Sequence, residues 1–316
     1  MQYIELGKTR LRASRLGAGC SRIASLSTAY SPTEIRRTLL AAFDHGVNFF
    51  DTADIYGQGD SERLLGKIYQ DRRDQVIFCT KAGLTVKASQ VLIRLIKPGL
   101  NPLIRRSRLA RNQTTSVRQE IEQKCFDPDF LRRRIYGSLK RLRTDFLDIF
   151  LLHSPPVSVL QDEAVWVLLE NLKRDGIIKH YGVSCDSVEV AMVALGCDGI
   201  SCIQVPVHPL QPEMGRLVLP AARNRGIGVI AREPLAGGAL FSFPPIMDLC
   251  SRKGDSNPAH IGFCYSMQQE ASSVIVAGMS NELHLEQGLA ALEATPLSAD
   301  EIALLNTGVQ RQGSTG

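Results

Sequence analysis

The sequence predicts a (β/α)8 TIM barrel, and three observations predict it. Eight short apolar runs recur along the 316 residues. Amphipathic stretches with helix-start signals separate them. No glycine-rich nucleotide loop follows the first run, which sets aside the competing doubly wound fold.

The runs are 15–20, 47–50, 76–80, 148–152, 178–184, 202–205, 227–231 and 274–277. They are rich in β-branched and aromatic residues, and most are continuously apolar rather than alternating. That pattern suits strands buried on both faces of a parallel sheet. The first run is the weakest. Helix starts are marked by Ser31-Pro32-Thr33-Glu34, Asp127-Pro128, Asn257-Pro258 and Ser298-Ala299-Asp300-Glu301. Each places a capping side chain before the first turn, three with a proline and two with a glutamate three residues on. A doubly wound fold needs G-x-G-x-x-G after its first strand, but Gly17-Ala18-Gly19 is followed by Arg22 where the third glycine belongs.

Composition does not shift along the chain, so residues 1–316 are expected to form one domain. Segment 3–16, turning at Gly7-Lys8, predicts a β-hairpin ahead of the barrel. A long insertion, 82–119, follows the third strand and carries eight basic residues and no acidic ones. After the last helix only 307–316 remain, which leaves specificity to the shorter loops and to this insertion.

With 44% hydrophobic residues the chain has material for a sizeable core, and a net charge of +5 does not call for a nucleic-acid partner. No apolar run approaches the ~20 residues that span a bilayer, and the start lacks a basic, apolar leader. Cys20, Cys79, Cys125, Cys185, Cys197, Cys202, Cys250 and Cys264 form no CxxC pair. Buried free thiols in a reducing compartment are expected, and hence a cytoplasmic protein. No metal site is expected, since the six histidines are scattered without zinc spacing. No G-x-S-x-G elbow marks a hydrolase.

Barrel active sites lie at the carboxyl ends of the strands. Asp51, Lys81 and His153 fall there, after the second, third and fourth strands, and Tyr56 lies in the loop that follows Asp51. Reducing a carbonyl needs a proton for oxygen as hydride reaches carbon. A tyrosine with a pKa of about 10 is a poor acid at neutral pH unless a cation favours its phenolate. Lys81 is placed to supply that charge, Asp51 to hold Lys81, and His153 to orient the carbonyl or share the proton relay.

Taken together these residues resemble a known family. Asp51-Thr52-Ala53-Asp54-Ile55-Tyr56-Gly57 followed by Ser61-Glu62 is similar to the D-T-A-x-x-Y-G segment of aldo-keto reductases. The resemblance continues through Thr80-Lys81, Arg141-Leu142-Arg143-Thr144-Asp145-Phe146-Leu147-Asp148, Leu151-Leu152-His153, the stretch 176–184 and Gln204-Val205-Pro206. It covers nearly the whole chain, in family order, and is that of a short-tailed, bacterial-type member. It implies an NAD(P)H-dependent oxidoreductase that reduces an aldehyde or ketone, with Tyr56 as general acid, Lys81 and Asp51 tuning it, and His153 orienting substrate.

The same resemblance assigns cofactor contacts to Gly19, Ser184, Cys185, Gln204, Arg232, Pro234, Leu235, Gly238, Gly278, Ser280 and His284. Ser184, Cys185 and Gln204 would hold the nicotinamide carboxamide, with Cys185 replacing an asparagine. Arg232 stands where many members place an aromatic ring. Its guanidinium plane either stacks on the nicotinamide or forms a surface ion pair with a neighbour such as Glu233. The segment from Gly278 to His284 would hold pyrophosphate and adenosine. The family favours NADPH, whereas the absence of a strong cation at Ser280 and His284 leaves NADH open. His208 has two readings, a pocket-lining group or a hydrogen-bonded structural histidine.

The basic insertion admits three roles: a substrate lid, a solvated surface excursion, or an interfacial helix meeting an acidic partner or membrane. A small carbonyl substrate of anionic character would suit its charge. The competing function is a non-catalytic, cofactor-sensing regulatory subunit on the same barrel. Substrate identity and oligomeric state are not legible in the sequence.

Overall fold

The computed structural model describes residues 1–23, 28, 30–86, 122–254, 257–270 and 273–313. In chain order its strands are β1 (Tyr3–Glu5), β2 (Arg12–Ser14), β3 (Leu16–Gly19), β4 (Phe49–Asp51), β5 (Ile77–Ala82), β6 (Leu84–Val86), β7 (Glu122–Lys124), β8 (Leu147–His153), β9 (Ile178–Ser184), β10 (Cys202–Pro206), β11 (Gly228–Arg232) and β12 (Val274–Gly278). Eight of them close a barrel in the order β10-β11-β12-β3-β4-β5-β8-β9. The eight apolar runs of the sequence are these barrel strands to within two residues at either end. By contact density the chain divides into two units, Ala18–Ser184 with Gly278–Glu282, and Met1–Gly17 with Cys185–Ala277 and Leu283–Gly316.

In the first of these units β4, β5, β8 and β9 run parallel, with Asp51 beside Cys79, Lys81 beside Leu151 and His153 beside Ser184. Helix α1 (Pro32–Asp44) starts at a complete capping box between Ser31 and Glu34, as the sequence predicts. Helix α2 (Asp60–Tyr69) buries Glu62, Leu65, Gly66 and Tyr69, a single face at helical spacing. The Tyr69 ring lies 4.5 Å from that of Phe50, and its hydroxyl donates to the Leu39 carbonyl at 2.7 Å. Helix α3 (Pro128–Leu142) begins where the Asp127 side chain accepts from the Phe130 amide at 2.9 Å.

Arg73 closes the opposite strand ends. It donates to Asp148 Oδ2 at 2.6 Å, Thr144 Oγ1 at 2.8 Å and the Val76 carbonyl at 2.9 Å. Thr144 and Asp148 of the family-like motif are therefore structural. Helix α2 also approaches the end of α3 so closely that a Cβ on Gly66 would lie 2.5 Å from the Arg141 carbonyl oxygen. Gly66→Ala is expected to destabilise the chain by about 1–3 kcal/mol, because backbone rather than a flexible side chain must move. Urea unfolding measures it, and an unchanged midpoint would contradict the close approach.

The insertion leaves the barrel as an antiparallel ladder of β6 and β7, pairing Leu84 with Lys124 and Val86 with Glu122. The lid, surface and interfacial readings of 82–119 fall on 87–119, outside the described residues.

In the second unit β1 and β2 form the expected hairpin. Its turn is a 3-10 segment, Gly7–Thr9, whose Lys8 amide donates to the Gly226 carbonyl at 2.9 Å. Gly7 has φ +53, and a Cβ there would sit 2.3 Å from the Gly228 amide, so the turn requires glycine. Strands β10, β11 and β12 are parallel. Helices α8 (Pro244–Lys253), α9 (Pro258–Gln269) and α11 (Ala299–Gly313) enclose a core of Leu240, Phe243, Ile246, Leu249, Tyr265 and Leu305. Asn257 and Ser298 cap α9 and α11 as predicted. Helix α11 runs to Gly313, so most of 307–316 continues the last helix rather than following it. Among the described residues no helix is long and apolar enough to cross a membrane.

Candidate active site

Strand β4 ends on Asp51, β5 carries Lys81 near its end, and β8 ends on His153. These three strands are neighbours in the barrel, so their carboxyl ends bring the side chains together. Tyr56 opens a short 3-10 segment, Tyr56–Gly59, between β4 and α2. That loop turns through positive φ at three successive residues, including the non-glycine Gln58 at +59, a conformation stored more often at functional sites than elsewhere.

Lys81 is only 1% exposed, and an ammonium so buried needs partners. Its Nζ donates to Asp51 Oδ1 at 2.7 Å and to the Thr52 carbonyl at 2.8 Å. The same Nζ stands 5.0 Å from the centroid of the Tyr56 ring. Burial pulls the Lys81 pKa down. The Asp51 carboxylate, by charge and hydrogen bond, outweighs it, with Tyr56 and Cys79 adding to the pull once ionised, and Lys81 is held above its ordinary 10.5 and charged at any working pH. The Tyr56 and His153 rings meet edge to face, 5.8 Å between centroids at 83°. The four residues singled out in the sequence thus form one contiguous cluster around a buried cation.

Beneath it lies a second polar layer that the sequence reading did not assign. Thr52 Oγ1 and Ser61 Oγ share a hydrogen bond at 2.8 Å. Glu62, fully buried, accepts from Thr80 Oγ1 at 2.7 Å and from Arg141 Nε at 2.6 Å. Asp54, also buried, pairs with Arg134 Nε. A signal existed for Glu62: it falls on the apolar face of α2 with Leu65 and Tyr69, where an acid must find a cation. Nothing local names Arg141 as that cation.

Among the residues expected to hold cofactor, Ser184 ends β9, is 2% exposed, and accepts through its carbonyl from the Ser154 amide at 2.9 Å. The Met279 amide approaches the Gly19 carbonyl at 3.4 Å, and Ser280 is buried. A side chain built on Gly278 would meet nothing within 4 Å, so the space beside its backbone is clear. Just beyond, Arg37 Nε pairs with Glu282 Oε1 at 2.8 Å.

In the other unit Gln204 is fully buried on β10, and its carbonyl accepts from the Cys185 amide at 2.8 Å. Burial, reinforced by Asp186, keeps the Cys185 thiol protonated. Arg232 ends β11 in ion pairs with Asp186 and Glu233, and it donates to the Cys185 carbonyl at 3.2 Å. Of its two readings, the ion pair is the one present. Pro234, Leu235 and Gly238 follow in a loop with positive φ at Glu233, Ala236, Gly237 and Gly238. His208 is buried, its Nδ1 has no hydrogen-bond partner among the described residues, and burial lowers its pKa. The structural reading, a hydrogen-bonded histidine, therefore lacks its bond at that nitrogen. His284 lies in the first turn of α10 (Glu282–Leu292).

Each within its own unit, Ser184 presents a buried hydroxyl and Gln204 a buried amide, groups of the kind that can donate to and accept from a carboxamide. At Gly278, the last residue of β12, a side chain would meet open space, so a ligand can approach the backbone there. Ser280 and His284 offer no strong cation for a further phosphate.

The chain is similar over most of its length to known proteins. A family model described as "Aldo/keto reductase family" matches residues 15–308. The aldo-keto reductase YhdN of Bacillus subtilis is 31% identical over 245 residues, 76% of this chain and 64% of its own length. A D-threo-aldose 1-dehydrogenase of a Pseudomonas species is 29% identical over 239 residues, 74% of this chain and 69% of its own. Among solved structures, the holo form of aldo-keto reductase AKR11C1 from Bacillus halodurans superposes with a TM-score of 0.73 at 24% identity, covering 98% of this chain and 96% of that one.

Proposed function

Because this chain belongs to the aldo/keto reductase family, we propose that it is an NADPH-dependent oxidoreductase that reduces an aldehyde or ketone to an alcohol, with Tyr56 as the general acid. The observation that carries this reading is the Lys81 ammonium, held between the Asp51 carboxylate at 2.7 Å and the Tyr56 ring at 5.0 Å. When bound, the nicotinamide supplies hydride to the carbonyl carbon. Tyr56 gives its phenolic proton to the carbonyl oxygen, and the adjacent cation stabilises the phenolate left behind. Asp51 keeps Lys81 charged and fixed in place. His153, against the Tyr56 ring edge, orients the carbonyl.

Ser184, Cys185 and Gln204 are assigned to the carboxamide, Arg232, Pro234, Leu235 and Gly238 to the nicotinamide side, and Gly19, Gly278, Ser280 and His284 to the phosphates and adenosine. The whole chain is read as one catalytic domain. The substrate is a small carbonyl compound, and the eight basic residues of 82–119 favour an anionic one. Eight free thiols favour the cytoplasm.

Fluorescence titration with NADPH and NADH, followed by a panel of aldehydes and ketones with and without a carboxylate, tests the proposal. Tighter binding of NADPH and turnover of carboxylate-bearing members are expected. A chain that binds either nucleotide and reduces no member would instead be a cofactor-sensing subunit. Preference for NADH would trace to the missing cations at Ser280 and His284.

A further inference from the structure

The loop that carries Tyr56 is tied down by an ion pair that takes no part in the chemistry. Three residues after Asp51, the Asp54 amide donates to the Lys81 carbonyl at 3.0 Å, which joins the loop to the strand of the catalytic lysine. The Asp54 side chain then turns into the protein, 0% exposed, and pairs with Arg134 Nε of α3. Its other oxygen, Oδ1, has no hydrogen-bond partner among the described residues. A buried carboxylate with one oxygen unmatched is an expensive group to keep, and such groups concentrate where function demands them.

We propose that Asp54 and Arg134 form a positioning pair for the reaction: ionised Asp54, anchored by Arg134, fixes the turn that presents Tyr56 to Lys81. This rests on the reading of Tyr56 as general acid. The link is short, since the turn begins where the Tyr56 amide donates to the Ala53 carbonyl at 3.1 Å, one residue before Asp54. Gln58 and its glycine neighbours hold positive φ just beyond. A strained turn of this kind keeps its shape only if both flanks are held. Helix α2 holds one flank, through Ser61 on Thr52, and Asp54 with Arg134 holds the other.

The groups facing Asp54 give the pair a pH signature. They are Arg134 and Arg141 from α3 and Glu62 from α2. Burial pushes the Asp54 carboxyl up from 3.8 to about 6, Arg134 and Arg141 pull against that rise, and Glu62 adds to it. A carboxyl raised in the folded state contributes stability below its unfolded pKa, and that contribution is lost as pH rises through the folded value. At neutral pH the charge therefore costs stability, while below about 6 the ion pair is lost and the turn loosens. Stability and turnover are thus pulled in opposite directions by one proton.

The test compares wild type with Asp54→Asn, Arg134→Met, Arg134→Lys and Tyr56→Phe. Wild-type kcat should fall on the acid side with a midpoint near 6. Asp54→Asn should lower kcat by about tenfold to a hundredfold, leave cofactor affinity within about twofold, flatten the acid limb, and leave the melting temperature unchanged or raised. Arg134→Met should lower kcat likewise and move the acid limb to higher pH, and Arg134→Lys should restore most of the rate. Hydrogen exchange of the 54–59 amides should quicken in Asp54→Asn and Arg134→Met. Wild-type kcat and pH profile in Asp54→Asn, or unchanged exchange in both variants, would overturn the inference. Full turnover in Tyr56→Phe would sink the general-acid reading instead. In that case, or if wild type reduces nothing, the exchange rates still decide whether the pair holds the turn.

Discussion

Tyr56→Phe is expected to cut kcat by about 10²–10⁴-fold with NADPH affinity retained. Phenylalanine keeps the ring that meets His153 edge to face at 5.8 Å and the face that Lys81 approaches at 5.0 Å. Only the hydroxyl is lost. With the packing kept, a fall in rate reports the proton and not the loop. Stopped-flow reduction beside a fluorescence titration separates the two, because a general acid acts on kcat and a binding contact acts on affinity. Turnover within about threefold of wild type would assign the proton to another group, with His153, whose ring meets that of Tyr56, as the first to test.

Lys81→Met should act twice. The methionine fills the volume of the lysine stem but leaves Asp51, 5% exposed, without its cation. Removing one partner of a buried pair costs about 3–5 kcal/mol, because the remaining charge is stranded. The urea midpoint should fall accordingly. Activity should fall by at least as much as in Tyr56→Phe, since nothing then stabilises the phenolate. The double variant Asp51→Asn with Lys81→Met should recover part of the stability and none of the activity. If the double variant regained turnover, the buried pair would be architectural rather than chemical.

Much of the barrel was legible in the sequence. A strand buried on both faces writes itself as a continuous apolar run, and a capped helix as Ser-Pro or Asp-Pro before an amphipathic stretch. Both signals are local, which is why strand limits agreed to within two residues. The meeting of Asp51, Lys81 and His153 was legible for a related reason. A strand-end residue is placed by its strand, and β4, β5 and β8 are neighbours in the barrel.

The supporting ion pairs were not legible. Glu62 meets Arg141 across 79 positions and Asp54 meets Arg134 across 80. Glu62 announced only that it needed a cation, in a chain with 37 candidates, and nothing local marked Asp54. The ladder of β6 and β7 was missed because three-residue strands carry too little periodicity to read.

The sequence by itself determined the barrel, the family and the clustering of Asp51, Tyr56, Lys81 and His153, because each depends on residues close in the chain or on strand order. Only the tertiary structure decided that Arg232 is engaged by Asp186 and Glu233, and that the Tyr56 turn is tied to α3 through Asp54. Those outcomes rest on which charges come within hydrogen-bonding reach once the strands close, a distance that linear spacing does not encode. For the four residues proposed to be catalytic the fold turned a shared rim into a contact of 2.7 Å between Lys81 and Asp51, with Tyr56 and His153 ring to ring beside it.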